Sequence, residues 1–186
     1  MKTDLADGQT LVESVPSDNV IILPNNKNIA SAASKVQSLT SKKVKVVPTR
    51  NIPQGIAALL AFGYDMNLEK NARAMEKVIS KVQAIEVTRA VRETCLKGLE
   101  IRKGQFIAIL NDEDVLAMAD KAGDVILEAL GKAGVEKAGI VTVYYGAEIK
   151  GAEAQGIAQE IRDRYHTEVE VIYGGQPHYD YIISLE

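Results

Sequence analysis

The sequence contains no tryptophan, only two phenylalanines, a single cysteine and two histidines. With Cys95 alone no internal disulfide can form, which fits a reducing compartment. Two histidines, His166 and His178, are too few for a histidine-rich metal centre. No apolar run approaches the ~18 residues needed to span a bilayer. Residues 1–8 are polar and acidic and lack the apolar core of a signal peptide. The chain therefore reads as soluble, cytoplasmic and without a membrane span. A net charge of -3 with no broad basic patch argues against nucleic acid as a partner. Neither a G-x-x-x-x-G-K-[ST] phosphate loop nor a G-x-G-x-x-G turn is present. The acidic string Asn111-Asp112-Glu113-Asp114 lacks the spaced ligands and downstream Glu of an EF-hand loop and reads as a solvated hairpin turn. No metal ligands and no catalytic residues are predicted in this chain.

What is present is an ordinary globular composition, 46% hydrophobic and 25% charged over 186 residues, enough for one large domain or two small lobes. Residues 1–17 read as a connector from an upstream domain. Asn19–Leu23 is a short continuous apolar run closed by Pro24, the pattern of a strand buried on both faces. Asn25 and Asn26 can cap the following helix, which places Ile29, Ala33, Val36 and Leu39 on one face. Val44–Val47 is the next strand, stopped by Pro48. Strand, helix and strand in so short a span predict a parallel crossover. Helices follow over Pro53–Phe62 and Leu68–Gln83, then a strand over Ile85–Arg92. Lys97-Gly98 and Lys103-Gly104 are turn signals between short β segments, so β-hairpins are expected near residues 94–118. Alternation then resumes: a helix over Lys121–Ala133 ended by Gly134, a strand Ile140–Tyr145, a helix Lys150–Tyr165, and strands Val169–Tyr173 and Tyr179–Leu185. The expectation is an α/β protein of two lobes with mostly parallel sheets, one over 18–92 and one over 93–186.

Three polar loops follow strand ends, where open α/β sheets usually bind their ligands. They supply the candidate binding residues: Asn25, Asn26, Lys27 and Asn28; Thr49, Arg50 and Gln54; Gly174, Gly175, Gln176, His178 and Tyr179. The first two loops lead into helix N-termini, whose free N–H groups favour anionic or carbonyl groups. Each feature also has a plain structural explanation. Asparagine before a helix is an ordinary cap, a Gly-Gly pair permits positive φ, and His178 has no partner carboxylate evident in the sequence. His166 reads as a helix-terminal residue and Cys95 as inert. The tyrosines crowded into the C-terminal half suit either a docking surface or the edge of a core.

The strings VIILPNNKNI, VKVVPTRNIPQGIAALLAF, VTRAVRET and YGGQPHYDYIISLE, in this order from Asn19 to Glu186, resemble the C-terminal region of fatty acid kinase A (YloV-like, DAK-domain) proteins. Arg50 stands where lysine is common in that family, and Arg89 where tyrosine is common. The resemblance implies an architecture shared with DegV and dihydroxyacetone kinase substrate domains. It implies a parent whose upstream domain holds ATP and magnesium, with no cofactor in this region. It also implies that this region is non-catalytic and docks FakB, the protein that carries a fatty acid for phosphorylation. Two alternatives stay open: a DegV-like domain that itself binds a fatty acid or small carbonyl ligand, and a sugar-kinase substrate domain holding dihydroxyacetone on His178.

Overall fold

The computed structural model describes residues 5–96 and 98–186. Residues 1–4 of the expected connector, and Lys97 of the expected turn, lie outside the described residues. The chain divides into two compact units, Met1–Val82 and Gln83–Glu186.

The first unit is built on two parallel strands, β1 (Asn19–Ile22) and β2 (Lys43–Val46), with Val20 opposite Val44 and Ile22 opposite Val46. Side chains alternate between the two faces of a strand, so each face gathers its own core. Val20 and Val44 meet Val12 of α1 (Leu5–Ser14) and Val36 of α2 (Lys27–Val36). Ile21 and Leu23 turn the other way, against a cluster of Val47, Ala58, Ala72, Met75 and Ile79 contributed largely by α3 (Ile52–Leu60) and α4 (Leu68–Ile79). The α3–α4 connection is held by the buried Asn71. Its Nδ2 donates to the carbonyls of Gly63 and Met66, and its Oδ1 accepts from the Gly63 N–H, each within 3.0 Å.

Residues 5–14, within the stretch expected to be a connector, form a packed helix. Val12 is 3% exposed, and Lys42 Nζ donates to the carbonyls of Val12, Glu13 and Val15. These carbonyls lie at and just past the C-terminal end of the helix, where a cation is favoured. Leu39, expected on the buried face of α2, lies beyond the helix end and is 45% exposed.

The second unit carries a six-stranded sheet in the order β7-β6-β3-β10-β8-β9. The strands are β3 (Gln83–Arg89), β6 (Phe106–Leu110), β7 (Asp114–Ala119), β8 (Ile140–Tyr145), β9 (Glu168–Tyr173) and β10 (Tyr181–Leu185). A separate hairpin, β4 (Thr94–Leu96) with β5 (Leu99–Ile101), lies between β3 and β6 in the chain. The hairpins expected near 94–118 are present as β4–β5 and β6–β7. Helices α5 (Ala122–Ala133) and α6 (Gly151–Tyr165) pack on the sheet through Val125, Ile126, Ala129, Leu130, Ile157 and Ile161. Gly134 ends α5 with φ +77°, as its position predicts.

The α/β class holds, but the expectation of mostly parallel sheets fails in this unit. Only β8–β9 is parallel; β3–β6, β6–β7, β10–β3 and β10–β8 are all antiparallel. The cause is β10. The last strand inserts between β3 and β8, and all five of its residues are buried. The boundary between units also falls at Val82/Gln83 and not near residue 93. β3 follows the two helices of the first unit in sequence, yet it hydrogen-bonds only to strands of the second.

Candidate functional site

Within the first unit, the two loops beyond β1 and β2 meet. Asn25 takes a left-handed conformation, φ +52°, which asparagine tolerates better than most residues. Its N–H donates to Thr49 Oγ1 at 3.0 Å, and Thr49 is fully buried. The neighbouring asparagines are caps. Asn26 Oδ1 accepts from the N–H of Asn28 at 2.8 Å at the start of α2. Asn51 Oδ1 accepts from the N–H of Gln54 at 3.0 Å at the start of α3. Gln54 Oε1 in turn accepts from the N–H of Arg50 at 2.9 Å. The arrangement is close to a capping box, with Gln54 reaching back to the residue before the cap instead of to the cap itself. Asn51 is not among the sequence-predicted site residues, although the spacing Asn51-x-x-Gln54 carries the signal.

Two atoms of this crevice are buried without a hydrogen-bond partner among the described residues: Asn25 Oδ1, an acceptor, and Asn51 Nδ2, a donor. A buried polar atom left unsatisfied costs about 1–3 kcal/mol. The first turn of α3 is also kept open for Asn25. A Cβ on Gly55 would overlap the Asn25 carboxamide. Lys27, Asn28 and Arg50 stand exposed at the rim. The two loops thus hold one buried donor and one buried acceptor without a partner among the described residues, and carry the exposed Lys27 and Arg50. That set suits a group with both a carbonyl and an N–H or O–H.

The third predicted loop belongs to the second unit and is tied down along its length. The N–H groups of Gly174 and Gly175 donate to the Tyr145 carbonyl, and that of Ala147 donates to the Gln176 carbonyl. Gln176 Nε2 donates to the Tyr144 carbonyl at 3.1 Å. Thr88 Oγ1 donates to the backbone carbonyl of His178 at 3.0 Å, so it is the main chain of His178 that is held. Arg89 Nε pairs with Asp180 Oδ2 at 3.3 Å and the guanidinium lies 4.3 Å from the Phe106 ring centre. Gly175 has φ +66°, and a Cβ on Gly174 would strike the Gln176 side chain. The positive φ makes glycine at 175 a demand of the loop's path, and Gly174 leaves room for the Gln176 carboxamide.

Tyr179 hydrogen-bonds the carboxylate of Glu86, itself 5% exposed. Burial, then the negative charges of Glu86 and Asp112, push the Tyr179 hydroxyl up to about 12. Tyr181 donates to Glu153 Oε1 at 3.1 Å, and burial followed by the Glu153 charge raises its hydroxyl also. A shallow cleft of about 360 Å³ lies beside this loop, lined by Thr88, Arg89, Glu148, Pro177, His178 and Asp180 among others. Pro177 and His178 are exposed. Among the described residues no cluster of three His, Cys, Asp or Glu could hold a metal ion, and no helix is long and apolar enough to cross a membrane.

The chain matches, over residues 1–186, the FakA-like C-terminal family, the C-terminal region of fatty acid kinase A-like proteins. It is 38% identical over 182 residues to protein YloV of Bacillus subtilis (strain 168), an alignment covering 94% of this chain and 32% of YloV. The chain spans about a third of the length of the curated relatives it matches. In fold it is similar to the Streptococcus pneumoniae fatty acid kinase (Fak) B3 protein loaded with linoleic acid, with a TM-score of 0.65 at 12% identity, covering 98% of this chain and 76% of that one. It is likewise similar to the dihydroxyacetone kinase of C. freundii, with a TM-score of 0.62 at 14% identity, covering 98% and 41%. With a whole-length family match, a relative above a third identical and an α/β fold of the DegV and dihydroxyacetone kinase kind, the chain belongs to the FakA-like C-terminal family.

Proposed function

We propose that this chain is the docking module of a fatty acid kinase A-like protein: it holds an acyl-carrying FakB protein in place while another part of the parent phosphorylates the fatty acid carboxylate with ATP and magnesium. The module itself is non-catalytic, cofactor-free and cytoplasmic. The observation that carries the reading is the tethered loop 174–180 on a chain of this family. Its path is fixed by backbone hydrogen bonds and by the left-handed Gly175, yet it presents Pro177 and His178 outward. A loop fixed before encounter loses little entropy on binding, which is what a recognition surface needs. Arg50 and Lys27 in the first unit add charge that speeds encounter with an acidic partner surface.

The test is made in the full-length parent, with acyl phosphate formation followed as a function of FakB concentration. Reversing charge at Arg50 (Arg50→Glu) and replacing His178 by aspartate should raise the FakB concentration needed for half-maximal rate and leave the maximal rate unchanged. Loss of maximal rate at saturating FakB would place these residues in the chemistry and reject the docking reading.

A second reading is favoured by one observation, the buried pair Asn25 Oδ1 and Asn51 Nδ2. In this reading the crevice of the first unit binds a small carbonyl ligand or a fatty acid head group directly. Native mass spectrometry of the purified chain distinguishes the two: a bound small molecule supports ligand binding, and a mass equal to the bare polypeptide removes it.

A further inference from the structure

The apolar run at β1 has the composition of an interior strand but occupies an edge. Among the described residues of the first unit its one strand neighbour is β2. The Lys43 N–H donates to the Asp18 carbonyl at 2.8 Å and the Val47 N–H to the Ile22 carbonyl at 3.0 Å. In a parallel pair the residues that bond the neighbour alternate. The even-numbered residues of β1 therefore face β2, and the peptide groups of Ile21 and Leu23 face the other way. No described strand pairs with them. Ile21, Ile22 and Leu23 are only half-buried.

Two apolar grooves flank this edge. One, of about 1000 Å³, runs past Phe62, Met66, Leu68 and Met75. The other, of about 370 Å³, runs past Leu11, Val15 and Ile29. Ile21 and Leu23 line both, so β1 is the ridge between them. Exposed edges are normally blunted by lysine, proline or a bulge. β2 has Lys43 and Lys45, whereas Val20–Leu23 has no charge, and the nearest proline is Pro24, just past its end.

We propose that the open edge of β1 accepts an extended segment of a partner protein as a further strand, its alternate side chains filling the two grooves. Strand addition supplies both elements the edge offers: main-chain hydrogen bonds for Ile21 and Leu23, and pockets on either side for successive side chains. An acyl chain would fill a groove but could not satisfy peptide groups. A second copy of this chain would bring concave grooves against concave grooves and fill neither. The larger groove has Lys43 and Lys45 against Glu69, which already pairs with Lys45 at 3.0 Å. The segment therefore carries apolar residues in alternation, and the lysines that line the larger groove from β2 favour an acidic residue toward that groove. This goes beyond docking through the loops and does not depend on it.

The experiment uses the 186-residue chain and a small set of blocked peptides in which valine or leucine alternates with threonine and one glutamate. Controls are the same compositions rearranged to a helical period, oleate, and the protein alone at rising concentration. Amide exchange at Ile21 and Leu23 is read by NMR. Alternating peptides should slow it by about tenfold or more, the scale of one well-formed contact, and the rearranged peptides should not. Ile21→Lys, with an unchanged circular dichroism spectrum, should weaken peptide binding by a similar factor; the exchange readout uses the unaltered protein and stands even if that variant fails to fold. Protection of the same amides by self-association, binding of oleate alone, or no protection by any alternating peptide would overturn the proposal.

Discussion

The carboxamide of Asn25 occupies the space that a Cβ on residue 55 would take. Asn25 holds its position through a left-handed backbone and an N–H bond to buried Thr49, and Gly55 lies in the first turn of α3. Two loops far apart in sequence are thus fitted to each other through one side chain and one missing methyl. Gly55→Ala should destabilise the chain by about 1–3 kcal/mol, the range for overfilling a packed site. Much of that loss should vanish in the background of Asn25→Gly, a residue that accepts φ +52° without strain. A double-mutant cycle by urea denaturation checks the pair; additive losses would show that they do not communicate.

Asn51 combines a cap that stabilises with a buried donor that does not. Asn51→Ala should cost about 1 kcal/mol through loss of the cap. Asn51→Ser keeps an acceptor for the Gln54 N–H and removes the unsatisfied Nδ2. It should therefore unfold at or above the wild-type urea midpoint. If a ligand normally meets Nδ2, the serine variant instead loses that ligand while staying folded.

The tethered loop of the second unit makes its own demand. With φ +66° at Gly175, Gly175→Ala should cost about 1–2 kcal/mol, the penalty of a left-handed conformation for a residue with a Cβ. The Cβ would also press on the Tyr173 ring, 3.3 Å away. Thermal unfolding measures the loss. Because the strain is local, the loop should move before the sheet does, and partner binding should weaken more than global stability.

Much of this was legible in the sequence, and the exceptions have physical causes. The run Asn19–Leu23, the Pro24 stop and the Gly134 terminator each encode structure through local chemistry, and the strands and helix ends fall where they predict. The Asn26 cap follows from the same rules, whereas Asn25, also expected to cap, takes a left-handed conformation instead. The polarity at the centre of the second sheet does not follow from them, because it depends on where Tyr181–Leu185 inserts, a pairing with residues up to about a hundred positions away. The place of β3 is hidden for the same reason: Ala84, Ile85 and Val87 look alike whichever unit buries them. The candidate residues were readable as types and loops. That Asn25 and Thr49 touch, and that two buried polar atoms in that crevice go unpaired, follows only from tertiary packing.

Alkaline pH probes the tyrosines. In the folded chain Tyr179 holds its proton up to about 12, against 10.0 when unperturbed, and Tyr144 and Tyr181 are raised as well. Between these values the folded state binds more protons than the unfolded one. Stability is therefore fully present below pH 10 and falls as pH rises toward 12. Tyr179→Phe should flatten part of that decline. Denaturation midpoints at pH 8, 10 and 11 test this, and an unchanged slope in the phenylalanine variant would contradict it.

The central claim, that this chain is a recognition platform, is tested most directly by calorimetric titration of the purified 186-residue chain with FakB carrying its fatty acid. The account predicts saturable one-to-one binding that weakens in His178→Asp and at raised salt. No heat from the isolated chain, while the full-length parent binds FakB through a different region, would contradict it.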